Sequence, residues 1–214
     1  VALPLYVIKD ENREASKVLV WLHPEGKEKI LDDPRLTDLL EKGYQIISAD
    51  LPGTGELKDP GFRGDGFVKG VPFNYTFGLN LTGNTIPGIY AGALNLVVRF
   101  MDMDTRFSGK GRQALAAGSA CPSLLCFAAI SQHFEKVALE NCPGSILDLL
   151  NTEYYDPELL YSIAPGSASC FDFSDLSNLL PEGSCRFFRP VDSFNREMDE
   201  SADNLDILLF LNGS

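Results

Sequence analysis

Two apolar segments constrain the fold of this chain most. Neither shows the alternation of polar and apolar residues that a strand with one solvent-exposed face would have. Residues 17–22 read KVLVWL and residues 44–50 read YQIISAD. Such runs are typical of parallel strands that helices cover on both faces. Between them, DDPRLTDLLEKG predicts a helix with Asp33 as N-cap, Pro34 as its first residue and Gly43 as its stop. The pattern therefore predicts a strand, helix and strand of an α/β fold.

The same alternation continues along the chain. Further strands are predicted at RQALAAG, KVALEN and CRFFRPV, and further helical segments at GIYAGALNLVVRFMDM, PSLLCFAAISQHF, CPGSILDLLN, DPELLYSI and FSDLSNLL. The tail predicts a helix and then a short last strand, with residues 207–211 as its apolar part. We therefore expect residues 1–214 to form a single α/β domain, a mainly parallel doubly wound sheet with helices on both faces in a three-layer sandwich.

One long segment, residues 57–87, shows no helical or strand period. It is rich in glycine and asparagine but carries five aromatic residues: Phe62, Phe67, Phe73, Tyr75 and Phe77. A loop of this length in a compact domain is usually a lid or a binding loop, since disordered segments seldom carry so many aromatics. We expect a loop insertion here, either covering a site or packing elsewhere.

Charge excludes two classes of partner. The chain has 18 Lys and Arg residues against 30 Asp and Glu residues, a formal net charge of -12. This charge repels both a nucleic-acid backbone and an anionic membrane surface. No apolar run approaches the roughly 20 residues that span a bilayer, so we expect a soluble chain. The N-terminus lacks a signal-peptide pattern, and export with the signal already removed stays open.

The cysteines indicate neither a metal site nor a disulfide framework. The five cysteines form no CxxC pair, and no histidine stands at ligand spacing from them. We therefore expect no metal and no cofactor, and buried, apolar roles for most of the thiols. Three sequons begin at Asn74, Asn80 and Asn212, which would matter only in an exported eukaryotic protein.

Candidate functional residues follow four of the predicted strands, because ligands of such sheets bind beyond the carboxyl ends of the strands. These ends are HPEG at 23–26, DLPGTGE at 50–56, AGSACP at 117–122 and VDSF at 191–194. The series resembles the α/β-hydrolase family over residues 17 to about 192. With YAGALNL and CPGSILDLL, it is most similar to acetyl xylan esterase-like and dienelactone-hydrolase-like members.

The resemblance implies a nucleophile elbow at AGSAC. There Ser119 would be the nucleophile, although the usual outer glycines of G-x-S-x-G are replaced. A register shifted by one residue would put Ala120 at the nucleophile position and leave the site inactive. In the first register the backbone N–H of Ala120 would form half of the oxyanion hole. Pro24 has no N–H, so the second donor would be Glu25 or His23.

The resemblance also implies an acid and a base. Asp192 stands where the family carries its acidic residue, and the base should follow it in the chain. The only histidines, His23 and His133, both precede it. His133 lies fourteen residues past Ser119 on the outgoing helix, about 20 Å away at about 1.5 Å per residue. His23 would approach from the wrong side, without an orienting acid.

The missing base leaves two explanations and three functional hypotheses. Either the sequence ends near the position of the base, or the domain lacks one. The first hypothesis is a hydrolase-fold domain that has lost serine hydrolase activity and is a binding or structural module, either alone or as one part of a larger esterase-like protein. The second is an active serine esterase of carbohydrate or small acyl esters that uses Ser119. The third is a binding domain for a neutral, sugar-like ligand held by the aromatic residues of 62–77.

Overall fold

The computed structural model describes residues 2–65, 68, 70–199 and 203–213. Within them one sheet has the strand order β1-β3-β2-β4-β5-β6. The strands are β1 (Leu5–Ile8), β2 (Lys17–Leu22), β3 (Tyr44–Ala49), β4 (Gly111–Ala117), β5 (Lys136–Glu140) and β6 (Cys185–Phe188). Strand β1 pairs antiparallel with β3, and all other pairs are parallel.

Helices cover both faces of the sheet. They are α1 (Arg35–Glu41), α2 (Phe73–Leu81), α3 (Ile86–Met103), α4 (Cys121–Ser131), α5 (Ile146–Asn151), α6 (Phe173–Asn178) and α7 (Asn204–Asn212). Apolar residues of α1 and α7 pack on one face. Those of α3, α4 and α6 pack on the other face. The predicted α/β fold, a mainly parallel doubly wound sheet in three layers, is confirmed.

Strand β2 shows why its sequence does not alternate in polarity. Val18, Val20 and Leu22 point into the core beneath α3 and α4. Leu19 and Trp21 point into the core beneath α1 and α7. Since successive side chains of a strand face opposite sides of the sheet, a central strand covered on both faces needs apolar residues at every position.

The described residues of the segment 57–87 contain more regular structure than the sequence predicts. It contains α2, and α3 begins at Ile86 with the Thr85 hydroxyl accepting a hydrogen bond from the Gly88 N–H at 3.1 Å. The pattern missed α2 because its sequence, FNYTFGLNL, has several weak helix formers and buries only Thr76. Strand β1 was not predicted from the sequence. Helix α1 begins at Arg35, one residue later than expected.

The predicted last strand at residues 207–211 is wrong, because these residues lie in α7. Asp203 accepts hydrogen bonds from the N–H groups of Leu205 and Asp206, and the Asp206 carboxylate accepts one from the Asp203 N–H at 2.8 Å. This reciprocal capping box starts a helix. Its apolar residues then fall on one helical face against the sheet, and the fully buried ones are Ile207 and Leu211.

The five cysteines are unpaired, with Cys121 and Cys142 buried and Cys170 exposed. No helix in the described part of the chain has the length and apolar character to cross a membrane.

A buried ion pair joins the loops that follow β2 and β3. Lys27 Nζ lies 2.7 Å from Asp50 Oδ2, and both side chains are almost completely excluded from solvent. Asp50 also accepts the backbone N–H groups of Lys27 at 2.7 Å and Glu56 at 3.0 Å. A Cβ atom on Gly55 would lie 2.1 Å from Asp50 Oδ1, so glycine is required there. The carboxylate of Asp50 therefore organises both loops.

The substitution Asp50→Asn should strongly destabilise the fold. It removes the buried carboxylate from a buried ammonium that also pairs with the exposed Glu56, and breaking a buried pair from one side costs about 3 kcal/mol or more. Urea unfolding measures this loss. The matched control is Asp102→Asn, which breaks the half-exposed pair with Arg112 and should change stability by less than about 1 kcal/mol. Equal effects of the two substitutions would contradict the role of the pair.

The contribution of the pair should also depend on pH. Burial disfavours both charges, yet hydrogen bonds and attraction from Asp50 and Glu56 raise the pKa of Lys27 to about 12. Hydrogen bonds from Lys27 likewise hold the pKa of Asp50 below its ordinary value. The stabilisation from Lys27 is thus complete below its ordinary pKa and is lost as the pH rises through about 12. The difference in unfolding free energy between wild type and Asp50→Asn should be constant near neutral pH and shrink toward pH 12. A difference that grows over this range would contradict the assignment.

Candidate active site

The strand order places two loops at the point where ligands bind in such sheets. From β2 the chain moves to β3 on one side, whereas β4 lies on the other side of β2. The carboxyl ends of β2 and β4 therefore flank the point where the strand order reverses. The loops that follow them touch: a Cβ atom on Gly118 would lie 3.5 Å from Pro24 Cγ.

The turn after β4 has the form of an elbow, but its tip is Gly118. The strand ends at Ala117, residues 118–120 form a 3-10 turn, and α4 begins at Cys121. Gly118 has φ +52°, whereas Ser119 is not among the residues with positive φ. A nucleophile elbow holds its nucleophile at a sharp, strained turn. In this chain that position is Gly118, one residue before Ser119. Neither of the two registers derived from the sequence places the elbow tip there.

Ser119 lies in the wall of the cavity described below, half-buried beside the fully buried Ala120. Neither histidine of the chain makes a hydrogen bond with its hydroxyl group. His133 is exposed past the C-terminal end of α4, where it stacks on Phe127 with ring centroids 6.4 Å apart. The structure therefore brings neither imidazole into hydrogen-bond contact with Ser119.

His23 is occupied in its own loop. Its Nδ1 accepts a hydrogen bond from the Glu25 backbone N–H at 3.2 Å. Burial lowers the pKa of His23, against the opposing charge of Glu25, which favours the neutral imidazole at neutral pH. The Glu25 N–H, one of the predicted oxyanion donors, thus already has an acceptor.

Asp192 closes a turn rather than facing Ser119. Its carboxylate accepts the N–H groups of Phe194 at 2.9 Å and Arg196 at 3.0 Å, and it pairs with the Arg196 guanidinium at 2.7 Å. Hydrogen bonds from Arg196 hold the pKa of Asp192 below its ordinary value. Within the described residues it is Asn195 of this turn, and not Asp192, that lines the cavity with Ser119.

A cavity of about 750 Å³ opens above the elbow. This volume falls within the roughly 300–1,000 Å³ that is typical of small-molecule sites. Two of the predicted aromatic residues, Phe62 and Tyr75, line it, and Phe67 lies outside the described residues. Sequence reasoning missed several other lining residues, including Tyr90, Asn141, Tyr161 and Ser162.

No group of metal-binding side chains is found in the part of the chain that the structure describes. The described lining presents aromatic rings, hydroxyl groups, amides and some charged side chains to a ligand, next to a serine that accepts no contact from either imidazole.

Comparisons with solved structures identify the fold. A candidate acetyl xylan esterase from Bacteroides fragilis superposes with a TM-score of 0.66 at 12% identity, covering 87% of this chain and 55% of that one. A candidate non-heme bromoperoxidase from Mycobacterium tuberculosis has a TM-score of 0.53 at 10% identity, covering 100% and 96% of the two chains. The acylaminoacyl peptidase of Pyrococcus horikoshii has a TM-score of 0.53 at 17% identity, covering 99% and 32%.

The chain has the α/β-hydrolase fold. It spans about half the length of the Bacteroides fragilis protein. No protein-family model matches the sequence, and no curated protein sequence matches it. A shared fold at this level of sequence identity does not establish the chemistry, which has to be inferred from the residues of the site.

The conformation of Gly118 predicts that alanine lowers stability at this position, whereas it raises stability at a helical glycine. A left-handed φ costs a residue with a Cβ atom roughly 1–2 kcal/mol, although the nearest neighbour leaves room for a methyl group. The substitution Gly118→Ala should therefore lower the unfolding free energy by that amount. The control is Gly92→Ala, within α3 and with nothing close to its Cβ position, which should stabilise the protein by about 0.5–1 kcal/mol. A stabilising Gly118→Ala would show that the tip is not at Gly118.

Proposed function

We propose that this chain is a non-hydrolytic module of the α/β-hydrolase fold that binds a small ligand in the cavity above the elbow. The observation that carries the proposal is the glycine at the elbow tip. Gly118 occupies the strained position, has no side chain, and lies against the ring of Pro24. A nucleophilic hydroxyl group at the tip is therefore absent.

Three further features support the loss of serine hydrolase activity. The Ser119 hydroxyl has no imidazole to remove its proton, and a serine hydroxyl is a weak nucleophile without an adjacent base. The Glu25 N–H donates to His23 instead of facing an oxyanion site. The Asp192 carboxylate is fully engaged by its own turn and by Arg196.

An active serine esterase is the second candidate. It is favoured by the position of Ser119 in the cavity wall, at the N-terminal end of α4 and beside the loop that carries His23. Such an enzyme would act on carbohydrate esters or small acyl esters, and Ser119 would be its nucleophile. Its base would have to come from a group other than the His23 imidazole as it is held here.

Ester hydrolysis decides between these candidates. We expect wild type to hydrolyse p-nitrophenyl acetate and acetylated xylo-oligosaccharides no faster than Ser119→Ala. The control is Ser108→Ala, which alters an exposed serine that does not line this cavity. A wild-type rate that is lost in Ser119→Ala and kept in Ser108→Ala would establish the esterase and overturn our proposal.

A further inference from the structure

The least exposed polar side chain of the described cavity lining has no protein partner. Ser162 ends the 3-10 turn Pro157–Ser162, is 3% exposed and lines the cavity. Its Oγ is buried without a hydrogen-bond partner among the described residues. Leaving a buried hydroxyl group unsatisfied is unfavourable, so such groups normally have a partner. In this conformation the Oγ is not exposed to the cavity, and rotation of the side chain to another staggered rotamer would turn it toward a ligand there.

Phenol groups line the same cavity. Tyr90 is 4% exposed and lines the same cavity as Tyr75 and Tyr161. Burial, reinforced by Tyr161 and Tyr75, raises the pKa of Tyr90 well above its ordinary value, so its phenol is neutral. Tyr161 donates to the carbonyl group of Gly70 at 3.3 Å. These residues present apolar rings together with uncharged groups that can both donate and accept hydrogen bonds.

Charged groups line only the more open parts of the cavity. Glu25, Lys58 and Asp59 are exposed, and Glu158 is partly exposed. None of the described lining residues that are buried carries a charge. An ionised ligand group placed beside Tyr90 and Ser162 would lose its hydration without gaining an opposite charge, which is strongly unfavourable.

We infer that the cavity binds a neutral polyhydroxylated ligand of the pyranoside class, with Ser162 and Tyr90 hydrogen-bonding its hydroxyl groups. The apolar face of a sugar ring fits against aromatic side chains, and its hydroxyl groups match the uncharged donors and acceptors of the wall. This inference rests on the proposed binding function and adds the chemistry of the ligand.

A charge series on one sugar ring tests the inference. The probes are methyl β-glucopyranoside, glucuronate and glucosamine, which are neutral, anionic and cationic at pH 7. Binding is measured by calorimetry and by the increase in melting temperature that a native-state ligand produces. We expect the neutral sugar to bind at least tenfold more tightly than either charged one. Preference for glucosamine or glucuronate, or no binding by the neutral sugar at millimolar concentrations, would overturn the inference.

Matched variants locate the binding group. Ser123 of α4 is also buried with an unpartnered Oγ, but it does not line this cavity. Without ligand, Ser162→Ala and Ser123→Ala should both keep or raise the melting temperature, since each removes an unsatisfied hydroxyl group. Only Ser162→Ala should weaken sugar binding, by about tenfold, and Tyr90→Phe should weaken it similarly.

Equal affinities of wild type and the folded Ser162→Ala variant would contradict the assignment of Ser162. Because the methyl glycoside contains no ester bond, its binding is independent of any esterase activity. Failure of this inference and failure of the proposed loss of hydrolysis are therefore distinguishable.

Discussion

The ion pair between Lys27 and Asp50 is the interaction on which the arrangement of the site depends. It is buried, and it ties the loop after β2 to the loop after β3. Lys27 Nζ also lies 4.8 Å from the ring centroid of Tyr6 in β1, which connects the pair to the edge of the sheet. Because the loop after β2 is fixed in this way, Pro24 is held against Gly118. A buried charge pair thus shapes a site whose deep wall is uncharged.

The fold was largely predictable because its strands are buried on both faces and therefore leave an uninterrupted apolar signal. The tail shows the limit of that signal. Residues 207–211 are apolar enough for either a strand or a helix, and the deciding information lay upstream in the capping box that begins at Asp203. Helix α2 has no apolar face that repeats with the helical period, so this helix could not be predicted from the sequence.

The site was less predictable because its decisive features are conformational or distant in sequence. AGSAC fits the pattern of an elbow around Ser119, and only the backbone reveals that the left-handed residue is Gly118. The strand predicted to run up to Asp192 ends at Phe188, and the role of Asp192 as a turn residue depends on Arg196 four positions later. Tyr90 reaches the cavity from α3, whereas Tyr161 and Ser162 reach it from the turn Pro157–Ser162, and no local motif connects these two segments.

The central claim is that no activated nucleophile exists in this site. Incubation with a fluorophosphonate probe, followed by intact-protein mass spectrometry, tests it most directly, since such probes form stable adducts with activated serines. Our account predicts an unmodified mass after an incubation that fully labels a serine esterase run in parallel. A stoichiometric adduct that peptide mapping places on Ser119 would contradict it.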